Sequence, residues 1–174
     1  YERPHGWAER NMLYLEHALA LIEEAARKAL AAANLDAAQI DAVVAVSTTG
    51  IATPSLDALL MGRLRLRSDL RRLPVFGLGC AGGVLGLSRA ADLARAAPRS
   101  RILFLVVELC ALCFRRGDFT KSNLVATALF GDGAAAAVIS CAGDGPVLTE
   151  GGEFTWPDSL DIMGWDVAED GLKA

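Results

Sequence analysis

The 174-residue chain has no apolar run long enough to cross a membrane; Ile102 to Val107, unsurpassed in length, stops at Glu108. It has only two histidines, His5 and His17, both far ahead of the first cysteine. It has four cysteines, and no second Cys or His pair is spaced to complete a zinc site with Cys110-x-x-Cys113. A redox pair remains the other reading of that spacing. Basic residues are scattered and the net charge is -4, so no nucleic-acid partner is expected. The first residues, Tyr1-Glu2-Arg3-Pro4, lack the apolar stretch of a signal peptide. Few cysteines in a domain of this size, without such a leader, imply free thiols in a reducing cytoplasm. A first residue other than Met is expected to be a cut or processed end. Internal repeats and low-complexity linkers are absent as well.

What is present is apolar and periodic. Hydrophobic residues make up 53% and charged residues 22%, the balance of a globular chain with a sizeable core. Trp7 to Ala33 carries Leu13, Ala18, Leu21, Ile22, Ala25, Ala29 and Leu30 at helical spacing, with Asn34 as its stop. Ala42 to Val46 is a continuous apolar run, the pattern of a buried strand. Pro54-Ser55 restarts a helix bearing Leu56, Leu59, Leu60 and Leu64. Leu73 to Phe76, Ile102 to Val107 and Ala134 to Ser140 read as further strands, Gly83 to Ala97 and Lys121 to Leu129 as helices. Gly143-Asp144-Gly145-Pro146 reads as a hairpin-like turn into Val147-Leu148-Thr149, and Thr155 to Ala174 as an irregular tail. Alternating helices and buried strands give an α/β class with helices on both faces of a mixed sheet.

The stretch Phe76-Gly77-Leu78-Gly79-Cys80-Ala81-Gly82-Gly83 organises the rest. Strand, glycine turn, cysteine, helix is the layout of a nucleophile elbow. Glycines allow a sharp turn and close approach of a substrate. The helix start leaves unpaired N–H groups and partial positive charge beside the sulfur, which favours thiolate and could hold an acyl carbonyl oxygen. Two other readings fit the same letters. Gly77-x-Gly79-x-x-Gly82 is also a dinucleotide fingerprint, but its strand is short and holds Pro74, much of the chain precedes it, and Glu108 lies beyond the usual ribose-binding position. A glycine turn with a buried cysteine is the third.

Five blocks in order resemble type III polyketide synthases, the chalcone-synthase-like branch of the thiolase fold. They are Ser47-Thr48-Thr49-Gly50 with Thr53-Pro54; Gly79-Cys80-Ala81-Gly82-Gly83; Val107 to Phe114; Ala128-Leu129-Phe130-Gly131-Asp132-Gly133-Ala134-Ala135-Ala136; and Trp156 to Asp166, the last similar to a bacterial branch. The resemblance implies that Cys80 is the nucleophile that takes an acyl group from acyl-CoA. It implies a gatekeeper role for Phe130, and places Thr48, Thr49, Cys110 and Cys113 near or along the cavity. Thr53 matches a position that reaches across a homodimer into the partner's site. Malonyl-CoA is the implied extender and CoA thioesters the substrates, with no metal or redox cofactor. Small residues at 53 and 113 imply room for a long aliphatic starter and alkylresorcinol or alkylpyrone products.

The family's histidine and asparagine, which serve decarboxylation, have no match in this chain. Neither His5 nor His17 is expected to act as base. Residues 1–150 are therefore expected to be a partial N-terminal thiolase-like domain, and 151–174 the start of a connection to a further C-terminal domain. The 174-residue chain alone is expected not to condense malonyl units. The alternatives are a ketoacyl synthase III-like enzyme of fatty-acid synthesis and a non-catalytic truncated homologue that acts by pairing. Glu108 is expected to make structural hydrogen bonds, Asp132 to bond nearby N–H groups from a turn, Cys141 to pack at a strand end, and Arg115-Arg116 to form a solvated loop.

Overall fold

A computed structural model of the chain describes residues 5–173. Its frame is a four-stranded sheet in the order β2-β1-β3-β4, built from β1 (Ala42–Val46), β2 (Arg71–Val75), β3 (Ile102–Leu109) and β4 (Asp132–Ile139). β1 runs parallel to both its neighbours, and β4 is antiparallel to β3. β1 is buried along its whole length, as its unbroken apolar run requires of a strand covered on both faces. Parallel strands need crossover helices, and the chain supplies α2 (Leu56–Leu64) between β1 and β2 and α3 (Gly82–Ala96) between β2 and β3.

The core lies in two layers. On one face α1 (Trp7–Ala32) sets Tyr14, Ala18, Ile22 and Ala26 against Val43, Ala45, Leu103 and Leu105, with Leu56 and Leu60 of α2 beside them. On the other, Ala90 and Ala94 of α3 meet Val44, Val46 and Phe104. Alternate residues of β1 and β3 thus serve opposite faces, the period-two rule of a strand. The side of α3 that meets the sheet is made of alanine and glycine because the approach is close. A Cβ added at Gly86 would fall 2.5 Å from Val46 Cγ2 and 2.8 Å from Phe104 Cε2.

The expected α/β architecture with helices on both faces of a mixed sheet is what the structure has. Its differences from the sequence expectations are local. β2 begins at Arg71 and leaves Phe76 outside, because pairing with β1 runs from Arg71 to Val75. Val147 to Thr149 form no strand; instead Arg95 donates to the carbonyls of Leu148 (2.8 Å) and Thr149 (3.2 Å). The tail is not wholly irregular: β5 (Asp166–Ala168) and β6 (Gly171–Lys173) form a short hairpin. Tyr1 to Pro4 and Ala174 lie outside the described residues.

Candidate active site

The parallel strands β1, β2 and β3 present their C-terminal ends on one side of the sheet, where crossover loops converge. At the end of β2 the chain turns through Gly79, whose φ of +54 is a backbone state that side chains disfavour. A short 3-10 helix, Gly79–Ala81, follows and runs directly into α3. Cys80 sits in that 3-10 turn and is exposed. The first turn of α3 contains no acidic residue and no side chain caps it. Within the turn the Ala81 and Gly82 amides donate to the carbonyls of Leu78 and Gly79, so what the start of α3 sets beside the thiol is its partial positive charge.

The next strand end supplies the neighbours. Glu108, near the end of β3, accepts hydrogen bonds from Thr48 N–H (3.0 Å) and Thr49 Oγ1 (2.8 Å). Thr49 Oγ1 in turn accepts from Leu109 N–H at 2.8 Å. Burial raises the Glu108 carboxyl above its ordinary range, against the bonds from Thr48 and Thr49. The carboxylate is committed to fastening the β1 loop to β3, the structural role expected of it. Tyr14 closes the same corner: its hydroxyl donates to Ser47 Oγ at 2.8 Å, and burial pushes it up to about 12.

Beyond Leu109 a 3-10 helix, Cys110–Cys113, carries the two remaining candidate thiols. Burial pushes Cys110 up to about 11, with smaller contributions from the charges of Glu108, Asp132 and Cys80. Cys80 therefore stands within electrostatic reach of Cys110. Cys113 is pushed up to about 12, again chiefly by burial, while the guanidinium of Arg10 pulls the other way. Both are neutral thiols near neutral pH, apolar in effect. They line a hollow of about 320 Å³ together with Phe114, Asn123, Phe130 and Trp165. Phe130 ends the helix α4 (Lys121–Leu129) and meets Trp165 edge-on, ring centres 6.2 Å apart and planes at 82°.

The structure thus brings Cys110, Cys113 and Phe130 to one hollow, with Cys80 within electrostatic reach of Cys110. Cys80 itself is not among the residues lining the hollow. Thr48 and Thr49 are buried above Glu108 and also stand off it. Thr53 is exposed on the loop between β1 and α2, outside the hollow. Asn123, Ala126 and Thr127 of α4 and Trp165 are lining residues that sequence reasoning missed; Trp165 lies in a stretch with no periodicity to betray a buried face. Asp132 does bond a backbone N–H, that of Ala111 at 2.8 Å, but from the first position of β4 and not from a turn. Arg115 is no solvated loop residue. Its side chain is 15% exposed and pairs with Asp170 of the tail hairpin at 2.7 Å. Cys141 lies past the end of β4, is exposed, and donates to the Ala94 carbonyl at 3.3 Å rather than packing at the strand end. His5 lies against Glu9 at 2.9 Å on α1, and His17 is exposed on the same helix. Among the described residues no cluster of His, Cys, Asp and Glu could hold a metal ion, and no helix is long and apolar enough to cross a membrane.

Comparison with known proteins gives this geometry a family. Residues 5–144 match the family described as chalcone and stilbene synthases, N-terminal domain. A 1,3,6,8-tetrahydroxynaphthalene synthase of Streptomyces peucetius subsp. caesius is 44% identical over 174 residues, 96% of this chain and 46% of that protein. A phloroglucinol synthase of Pseudomonas fluorescens is 34% identical over 77% of this chain and 38% of its own length. Among solved structures, the 1,3,6,8-tetrahydroxynaphthalene synthase of Streptomyces coelicolor, a bacterial type III polyketide synthase, superposes with a TM-score of 0.92 at 35% identity. It covers 97% of this chain and 49% of that one. The germicidin synthase of the same species, also a type III polyketide synthase, gives a TM-score of 0.92 at 32% identity over 97% of this chain and 45% of that one. The chain spans about half the length of these relatives.

Proposed function

The chain belongs to the chalcone and stilbene synthase family, with the thiolase-like fold of type III polyketide synthases, and from that premise we propose that it carries the acyl-loading half of such an enzyme. Cys80 attacks the thioester carbonyl of an acyl-CoA starter, CoA leaves as a thiol, and the acyl group remains on sulfur. Decarboxylation of malonyl-CoA then supplies the carbon nucleophile that extends it. The observation that carries this reading is the elbow: an exposed cysteine between a strand end and the start of α3. The partial positive charge of the helix start favours the oxyanion formed on thioester attack.

Cys110, Cys113 and Phe130 serve as walls of the acyl cavity, with Phe130 as gatekeeper. Thr48 and Thr49 hold its back wall through Glu108, and Thr53 faces a second copy in a homodimer. Residues 1–150 form the family's N-terminal unit and 151–174 lead into the rest of the enzyme. Four free cysteines suit a cytoplasmic enzyme. The test uses the full-length protein that contains this chain, supplied with an acyl-CoA starter and labelled malonyl-CoA. Polyketide products and label release as carbon dioxide are expected, and Cys80→Ala abolishes product. Product formation undiminished in Cys80→Ala would overturn the assignment.

A further inference from the structure

Arg10, on the first turns of α1, lies far from Cys80 in sequence and in no motif, yet its guanidinium reaches the cavity wall. Its Nη1 donates to the carbonyls of Leu112 and of Phe114, the latter at 2.8 Å, and its Nε donates to the His5 carbonyl at 3.0 Å. Leu112 and Phe114 bracket Cys113 at the end of the Cys110–Cys113 turn. The last carbonyls of a helical turn have no partner within it and must find donors elsewhere. One guanidinium nitrogen with two N–H donors serves both carbonyls, while Nε, bonded to the His5 carbonyl, fixes the plane of the group.

The same turn is tied from its other side. Arg115 donates to the Gly171 carbonyl at 3.2 Å and to Asp170 Oδ2 at 2.8 Å. Gly171 itself lies over Arg10, so close that an added Cβ would stand 3.3 Å from Arg10 Cδ. The β5–β6 hairpin that follows Trp165 is thereby held against α1 and the turn. Three pieces of the cavity wall, Cys113, Phe114 and Trp165, come from two segments distant in sequence, and Arg10 is where both meet α1.

We propose that Arg10 is a positioning residue that sets the width of the acyl cavity by fixing the carbonyls on either side of Cys113. The proposal rests on the reading of the hollow as the acyl cavity. Arg10 touches no reacting atom; it acts through Cys113 and Phe114. Loss of the anchor frees the turn without disturbing the elbow, so acyl-chain length preference changes while loading of Cys80 persists.

The experiment compares full-length wild type, Arg10→Met and Arg10→Lys by amide hydrogen exchange and by kcat/KM over a series of acyl-CoA chain lengths. In Arg10→Met, exchange across residues 110–114 is expected to quicken by roughly tenfold, with α3 and β1 unchanged. The ratio of kcat/KM between the longest and shortest starters is expected to shift by about threefold or more, and Arg10→Lys to recover part of both effects. Unchanged exchange at 110–114, or exchange quickened equally everywhere, overturns the anchoring role. A length profile identical to wild type in both variants overturns the specificity role. If wild type turns over no acyl-CoA, the polyketide reading has failed, and the exchange arm still decides whether Arg10 anchors the turn.

Discussion

At the scale of single residues, the side chains around the elbow divide into those that hold and those that are free to react. Glu108 holds. Its carboxyl is raised above the ordinary 4.5, chiefly by burial. Well below 4.5 it is protonated in folded and unfolded chains alike. As pH rises from there, the unfolded chain releases its proton first, so the folded state binds more protons and stability falls until the raised value is passed. Denaturant midpoints measured across this window should therefore decline with pH in wild type and decline less in Glu108→Gln; parallel curves would show that Glu108 is not the group responsible. Cys80 is the contrasting case, an exposed thiol that no residue uses for packing. This division was partly legible beforehand. The glycines around Cys80 announced a turn, and Glu108 at the end of an apolar run announced a fastened carboxylate. Arg10 was not legible, because its partners are backbone carbonyls more than a hundred residues away, and carbonyls leave no mark on a sequence.

At the scale of elements, α3 decides how Cys80 is presented, and its seat on the sheet depends on Gly86. Gly86→Leu places a side chain into space held by Val46 and Phe104, two buried residues of the second core layer. Overpacking of this kind costs about 1–3 kcal/mol. Thermal unfolding should show the loss, and Cys80 acylation should slow with it as the helix lifts; a variant as stable as wild type would mean that the contact yields at no cost. The helices and core strands were legible because their apolar spacing is dictated by burial: α1, α2 and α4 match their periodic stretches closely. β2 was read two residues late, since Arg71 and Arg72 are exposed on an edge strand and carry no apolar signal. The β5–β6 hairpin was missed for a related reason: it is too short for an alternation to register.

At the scale of the whole molecule, the C-terminal ends of the parallel strands β1, β2 and β3, the start of α3 and the hollow lie on one side of the sheet. Apolar groups around that side remain uncovered: Ile51 is 49% exposed, Phe76 59% and Val84 73%. Exposed apolar groups on one side of a molecule suit a covered interface, and the full-length protein is expected to run as a homodimer in light scattering. Phe76→Asp with Val84→Asp should shift it towards monomer; a wild-type monomer at high concentration would count against this interface. The central claim, however, concerns one sulfur. It is tested most directly by exposing the full-length protein to an acyl-CoA starter without malonyl-CoA and measuring intact mass, followed by peptide mapping. The account predicts one acyl group, carried on the peptide that contains Cys80 and absent from Cys80→Ala. An acyl group on Cys110, Cys113 or Cys141 instead, or equal labelling of wild type and Cys80→Ala, would contradict it.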